Sequence, residues 1–278
     1  MTSSQRRNAA RAPIEAPAVP PELYDTEYFL GAADGAHEYN AGVSHGRYWF
    51  AIDKLDLPPG GTLLDVGCGR GELLRLAAEH GAGKVIGVEY AEAAVDLAVE
   101  HVAEAGIADR CEIHLADARD LPVADDSVDA VTLMDVIEHL TPAEQDAAVR
   151  EAHRVLRPGG MLLLHTFPNR RIYELYGAMR RFWPGGRAWP TDPRKPYEHE
   201  MHVGELTGEE IGSLFARAGY VEIEVSHLAW TYTEFVPTRA ARRVFRLLAR
   251  FPPTQSLARA SIVGVARVGS IGPVQSSR

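Results

Sequence analysis

Between residues 60 and 166, short apolar runs alternate with longer stretches whose apolar side chains recur every three or four positions. The runs Thr62 to Val66, Val85 to Glu89, Ala130 to Met134 and Met161 to Thr166 have the length and largely apolar character of strands buried on both faces, and Cys111 to Leu115, interrupted by Glu112 and His114, has the length of a further strand. Between them, Glu72 to His80, Ala91 to Ala105 and Pro142 to Leu156 carry the helical period. This alternation predicts an α/β fold, a doubly wound and mostly parallel sheet with helices on both faces. Ligands of such sheets bind at the carboxyl ends of the strands.

The first predicted strand runs directly into Gly67, Gly69 and Gly71. Alternate glycines serve a chain that must turn at positive φ and leave its backbone bare for a ligand. The second strand ends in Glu89, about 20 residues on, where a carboxylate can accept both hydroxyls of a ribose. The dinucleotide fingerprint is G-x-G-x-x-G, whereas here Arg70 and Glu72 interrupt it. NAD and FAD are therefore disfavoured, and a different nucleoside-bearing ligand is implied.

The run Asp65-Val66-Gly67-Cys68-Gly69-Arg70-Gly71, followed by Glu89, resembles the S-adenosylmethionine site of the class I methyltransferases. Leu115-Ala116-Asp117-Ala118, Val128 to Asp135, and Val155-Leu156-Arg157-Pro158-Gly159-Gly160 resemble that family's later segments, in family order. The resemblance implies a Rossmann-like, seven-stranded sheet finishing in an antiparallel pair, for which Tyr220 to His227 and Ala260 to Val268 are the expected strands. It implies S-adenosylmethionine as the cofactor. Asp65, Gly67, Gly69 and Gly71 would lie against it, Glu89 and Tyr90 at the ribose, Asp117 and Ala118 at the adenine, and Asp135 at the cleft mouth. Tyr28, Tyr39 and Arg47 are the corresponding candidates from the region ahead of the first strand.

A formal net charge of −9 argues against indiscriminate attraction to nucleic-acid phosphate. Two cysteines, Cys68 and Cys111, make no disulfide framework, which fits a reducing, cytoplasmic compartment. No stretch has the roughly 18 to 20 apolar residues of a transmembrane helix. The content of Ala, Arg and Gly suggests a GC-rich bacterial source and hence secondary metabolism such as antibiotic biosynthesis.

Residues 1–21, rich in Ala, Pro, Ser and Arg, read as a disordered lead-in rather than a signal peptide. Residues 22–57, crowded with aromatics, predict short helices that cap the cleft, and 58–278 form the methyltransferase domain. Two insertions stand out. The one at about 168–206 is an expected aromatic lid ending in His199 and His202. The one at about 230–259 carries Arg239, Arg242, Arg243, Arg246 and Arg250 among Val244, Phe245, Leu247, Leu248 and Phe251. That amphipathic helix leaves open a membrane surface, an anionic substrate, a second subunit in a homo-oligomer, closure of the lid, or a plain solvated face.

The catalytic candidates are Asp135, His139 and His202, with His199 a further one and His165 a poorer one because it ends an apolar strand. Asp135-Val-Ile-Glu138-His139 also resembles a segment of metal-assisted O-methyltransferases of the ubiquinone pathway and of small-RNA ribose 2′-O-methyltransferases. That resemblance implies a divalent cation on Glu138, His139 and His202, against the alternative that these residues bond locally. The expected activity is methyl transfer to oxygen or nitrogen of a small or medium-sized metabolite such as a natural product, quinone or sugar. The alternatives are a metal-assisted RNA methyltransferase and a non-catalytic S-adenosylmethionine-binding scaffold.

Overall fold

The computed structural model describes residues 14–228 and 236–270. Seven strands form one sheet: β1 (Thr62–Val66), β2 (Lys84–Glu89), β3 (Cys111–Leu115), β4 (Val128–Met134), β5 (Leu156–Thr166), β6 (Val221–His227) and β7 (Ile262–Arg267). Their order is β3-β2-β1-β4-β5-β7-β6, with β1 to β5 parallel and β7 antiparallel to both its neighbours. The ten helices described are α1 (Ala36–Asn40), α2 (Gly46–Lys54), α3 (Glu72–Glu79), α4 (Glu92–Glu104), α5 (Pro142–Val155), α6 (Arg171–Phe182), α7 (Pro196–Met201), α8 (Gly208–Ala218), α9 (Arg239–Arg250) and α10 (Gln255–Ala258).

The two-residue period of β1 explains why both faces are apolar. Leu63 packs with Leu74, Ala77 and Ala78 of α3, whereas Leu64 and Val66 pack with Val149 and Ala152 of α5 and with α8. Each face thereby acquires its own core, and the strand ends are left to carry polar groups.

Most predicted boundaries agree to within two residues, and β5 departs for a physical reason. It begins at Leu156 rather than Met161, because Leu156 pairs with Val128 before the register slips to Met161 opposite Ala130. The Arg157–Gly160 turn bulges between those pairs, with Gly159 at φ +81°. Residues 1–13 of the expected lead-in lie outside the described residues, and the described part departs from that expectation. Residues 14–21 lie against the domain: Val19 is 3% exposed, and the Ala18 amide donates to Glu144 at 3.0 Å.

The two insertions pack on each other. Ile172 and Tyr176 of α6, Ala241, Phe245 and Ala249 of α9 and Ala258 of α10 share one apolar cluster with Trp189, separate from the two cores of the sheet. Residues 229–235 of the second insertion lie outside the described residues. Among the described residues, no helix is long and apolar enough to cross a membrane.

Gly264 of β7 sits directly beneath Phe215 and Ile211 of α8, and a Cβ there would fall 2.7 Å from the Phe215 ring. Gly264→Val should lower stability by about 1–3 kcal/mol through overpacking, measured as a lower urea midpoint at unchanged slope.

Candidate functional site

After β1 the chain turns through Gly67, Gly69 and Gly71 at φ +74°, +50° and +80°. The three have different tasks. A Cβ on Gly67 would lie 2.3 Å from Val136, so this glycine admits the loop after β4. Gly71 caps α3 and meets Ala98 of α4, where a Cβ would come to 3.3 Å. Gly69 has only the Phe29 ring nearby, at 3.8 Å, and presents bare backbone to open space. Gly67 and Gly69 border a cavity of 640 Å³; Gly71 packs helix on helix behind them.

Glu89, at the end of β2, fixes this loop. Its carboxylate accepts from the amides of Gly69 at 3.1 Å, Tyr90 at 2.7 Å and Ala91 at 3.0 Å, and it borders the cavity. Burial pushes its pKa up, and the three amides oppose that shift. Asp65 lies one layer deeper, outside the cavity wall, where its carboxylate accepts the Thr132 hydroxyl at 2.7 Å. Burial raises it to about 7.

On the far wall Tyr90, Asp117 and Ala118 border the cavity. Asp117 is held by Arg119, whose guanidinium also reaches Glu144 at 3.0 Å and the Glu15 carbonyl at 2.9 Å. The segment docked on the domain is thus tied to the same wall, and its Pro17 and Val19 complete it.

The cap supplies Tyr28 and Arg47, as expected, together with Tyr24, Phe29 and Asp34. Tyr39 does not reach the cavity. It stacks under Arg70 at 4.8 Å and beside His101, because Arg70 lies between it and the loop. Arg70 was missed from the sequence. It is buried, forms a 2.8 Å ion pair with Glu72, and donates to the carbonyls of Phe29 at 2.6 Å and Asp34 at 3.3 Å, clamping the cap onto the glycine loop. A long cation inside a loop that otherwise admits only small residues was the available signal.

Asp135 borders the cavity beyond β4 in a left-handed conformation, φ +58°, uncommon for a residue with a Cβ. Its carboxylate lies 2.5 Å from Nδ1 of His165 and 3.3 Å from Nε of Arg47. Burial would raise its pKa, but His165 and Arg47 outweigh burial and hold it well below the usual carboxylate range. His165, the poorer candidate by sequence, is therefore the histidine joined to Asp135, and it also borders the cavity.

Glu138, His139 and His202 border the same cavity but do not form a cation site. Glu138 is 1% exposed; its oxygens accept the Thr166 hydroxyl at 2.9 Å and the Phe167 amide at 3.4 Å. Burial, then the Asp135 charge, pushes its pKa well up. Nδ1 of His139 is shared by the Tyr24 hydroxyl at 2.8 Å and the Met201 carbonyl at 3.2 Å, and its ring meets His202 edge to face at 4.8 Å. Among the described residues no three His, Cys, Asp or Glu side chains converge as metal ligands, which corrects the expected constellation. His199 points elsewhere, 3.6 Å from Asp192. The aromatic lid does reach the cavity, through Lys195 and Tyr197 as well as His202.

Residues 63–160 match the family model described as Methyltransferase domain. The chain is 29% identical over 215 residues to a demethylmenaquinone methyltransferase of Desulfitobacterium hafniense, covering 72% of this chain and 82% of that one. It is 33% identical over 130 residues to a ubiquinone/menaquinone biosynthesis C-methyltransferase of Geotalea daltonii, covering 45% and 54%. The chain spans only 40 to 63% of several other relatives. Among solved structures, geranyl diphosphate C-methyltransferase of Streptomyces coelicolor superposes with a TM-score of 0.58 at 18% identity, over 91% of this chain and 89% of that one; this likeness concerns the fold.

Burial lowers His139 to about 4, and burial together with His139 lowers His202 to about 3. Both fall below the unfolded value of about 6.5, so as the pH drops the unfolded chain takes up protons first. Their contribution is complete above about pH 6.5 and is lost as the pH falls toward 4. Asp65, raised to about 7, works in the opposite sense, so the comparison must be between proteins. His139→Gln combined with His202→Gln should gain in Tm relative to the native chain as the pH falls from 7 to 4.5. A constant Tm difference across that range would refute the assignment.

Proposed function

The chain belongs to the class I S-adenosylmethionine-dependent methyltransferases, and we propose that it methylates an oxygen or nitrogen of a small, ring-bearing, largely apolar metabolite. The observation that carries this reading is the 2.5 Å contact between Asp135 and His165 at the edge of the cavity that contains the glycine loop. The two curated relatives named above are a demethylmenaquinone methyltransferase and a ubiquinone/menaquinone biosynthesis C-methyltransferase, and a largely apolar acceptor fits the walls here. Tyr24, Tyr28, Phe29, Phe167 and Tyr197 line the cavity.

When bound, S-adenosylmethionine supplies an electrophilic methyl group on a sulfonium whose departure leaves a neutral thioether. Gly67 and Gly69 would hold its methionine and ribose portion, Glu89 the ribose hydroxyls, and Asp117 with Ala118 the adenine. The cap residues Tyr28 and Arg47 would close the methionine end. Holding an acceptor in line with the methyl accounts for most of the acceleration. His165 takes the proton released from the acceptor hydroxyl or amine, and ionised Asp135 stabilises the imidazolium that results. His139 and His202, kept neutral by burial, stand with buried Glu138 beside the acceptor. No step uses a metal, which removes the support that the Glu138, His139 and His202 arrangement would have given to an RNA substrate.

Turnover of phenols and hydroquinones, read as S-adenosylhomocysteine formed, should fall by roughly 10²-fold or more in His165→Gln while cofactor affinity stays within about threefold. An unchanged rate in His165→Gln would reject the base assignment. Cofactor binding without turnover on any acceptor would favour the scaffold reading.

A further inference from the structure

The arginine-rich helix α9 takes no part in the cavity wall. Its inner stripe, Ala241, Phe245 and Ala249, is spent on packing against α6 and α10. At about 100° per residue, two further stripes run along the outer half. One is Arg239, Arg243, Arg246 and Arg250, all exposed. The neighbouring one is Val244, Leu247 and Phe251, which are 38%, 66% and 60% exposed.

The charge is segregated as sharply as the apolar surface. The whole chain carries −9, yet beyond Glu234 it contains eight arginines and no acidic residue. Among the described residues, none of Arg239, Arg243, Arg246 and Arg250 forms an ion pair. The partner helix α6 repeats the pairing at its end, where Phe182 is 78% exposed with Arg181 stacked at 5.4 Å. A solvated cationic face explains the arginines and leaves Leu247, Phe251 and Phe182 unexplained. Nucleic acid would use the arginines but has no place for Leu247, and the acidic remainder of the chain repels it.

We infer that the outer face of α9 docks the protein on a phospholipid surface bearing anionic headgroups. Leu247 and Phe251 enter the boundary between headgroups and acyl chains, and the arginine stripe pairs with the phosphates. The docked module shares its apolar cluster with Phe167, which also borders the cavity. A membrane-dissolved acceptor would therefore meet the protein on the side of the lid. Docking itself does not depend on which acceptor is methylated.

Co-sedimentation of the full chain with vesicles tests this. The protein should pellet with phosphatidylcholine vesicles containing phosphatidylglycerol, weaken as salt is raised, and stay in solution with phosphatidylcholine alone. Arg243→Glu combined with Arg246→Glu should weaken binding by at least roughly tenfold. Leu247→Ser combined with Phe251→Ser should also weaken it, with cofactor affinity unchanged in both variants because all four side chains are on the exterior. Failure to pellet with the anionic vesicles, or binding indifferent to both double variants, would overturn the inference. Salt-sensitive binding to a short RNA in place of vesicles would do the same.

Discussion

The site depends on one carboxylate that satisfies three backbone amides. Glu89 takes the N–H groups of Gly69, Tyr90 and Ala91, so the end of β2 and the turn after β1 are held as one rigid piece. Burying that carboxylate is costly, and the amides offset the cost. The result is a stretch of unobstructed main chain whose position is set before any ligand arrives. Pre-organisation of this kind leaves less ordering to be done on binding.

Around this seat the protein builds inward from the cap by charge. Arg70 reaches across to the Phe29 and Asp34 carbonyls, and Arg47 links Asp34 to Asp135. The two arginines make the cap and the strand ends a single electrostatic unit. The pKa of Asp135 is held low in it although the group is buried, while that of Glu138, three residues on and without a cation, is pushed up. Two carboxylates close in sequence are thus shifted in opposite directions by their surroundings.

The sheet was legible because its signals are local: apolar runs, a helical period, glycines, and an acidic residue at a strand end. Cavity-bordering residues near the strand ends, Gly67, Gly69, Glu89, Asp117 and Asp135, were legible for the same reason. What was not legible depends on distant contacts. Tyr39 and Arg47 are equally plausible cap residues in the sequence, and only the position of Arg70 decides that one faces the cavity and the other does not. His165 ends an apolar strand and looks structural until the turn at Asp135 brings a carboxylate to it across 30 residues. The Glu138-His139 pair invited a metal because spacing does not reveal that Thr166, Phe167, Tyr24 and Met201 are its partners and that, among the described residues, no third ligand converges on it. Residues 14–21 share the composition of a disordered tail, yet Arg119 and Glu144 give the backbone of Glu15 and Ala18 partners.

The central claim is that bare backbone at Gly69, held by Glu89, forms the seat of an adenosyl ligand. Calorimetric titration of the folded chain with S-adenosylhomocysteine tests it most directly, with Gly69→Val, matched to it by circular dichroism, as the comparison. The account predicts one-to-one binding by the native chain and none by Gly69→Val, whose side chain would occupy the ligand's place. No heat from the native chain, or equal affinity in the variant, would contradict it.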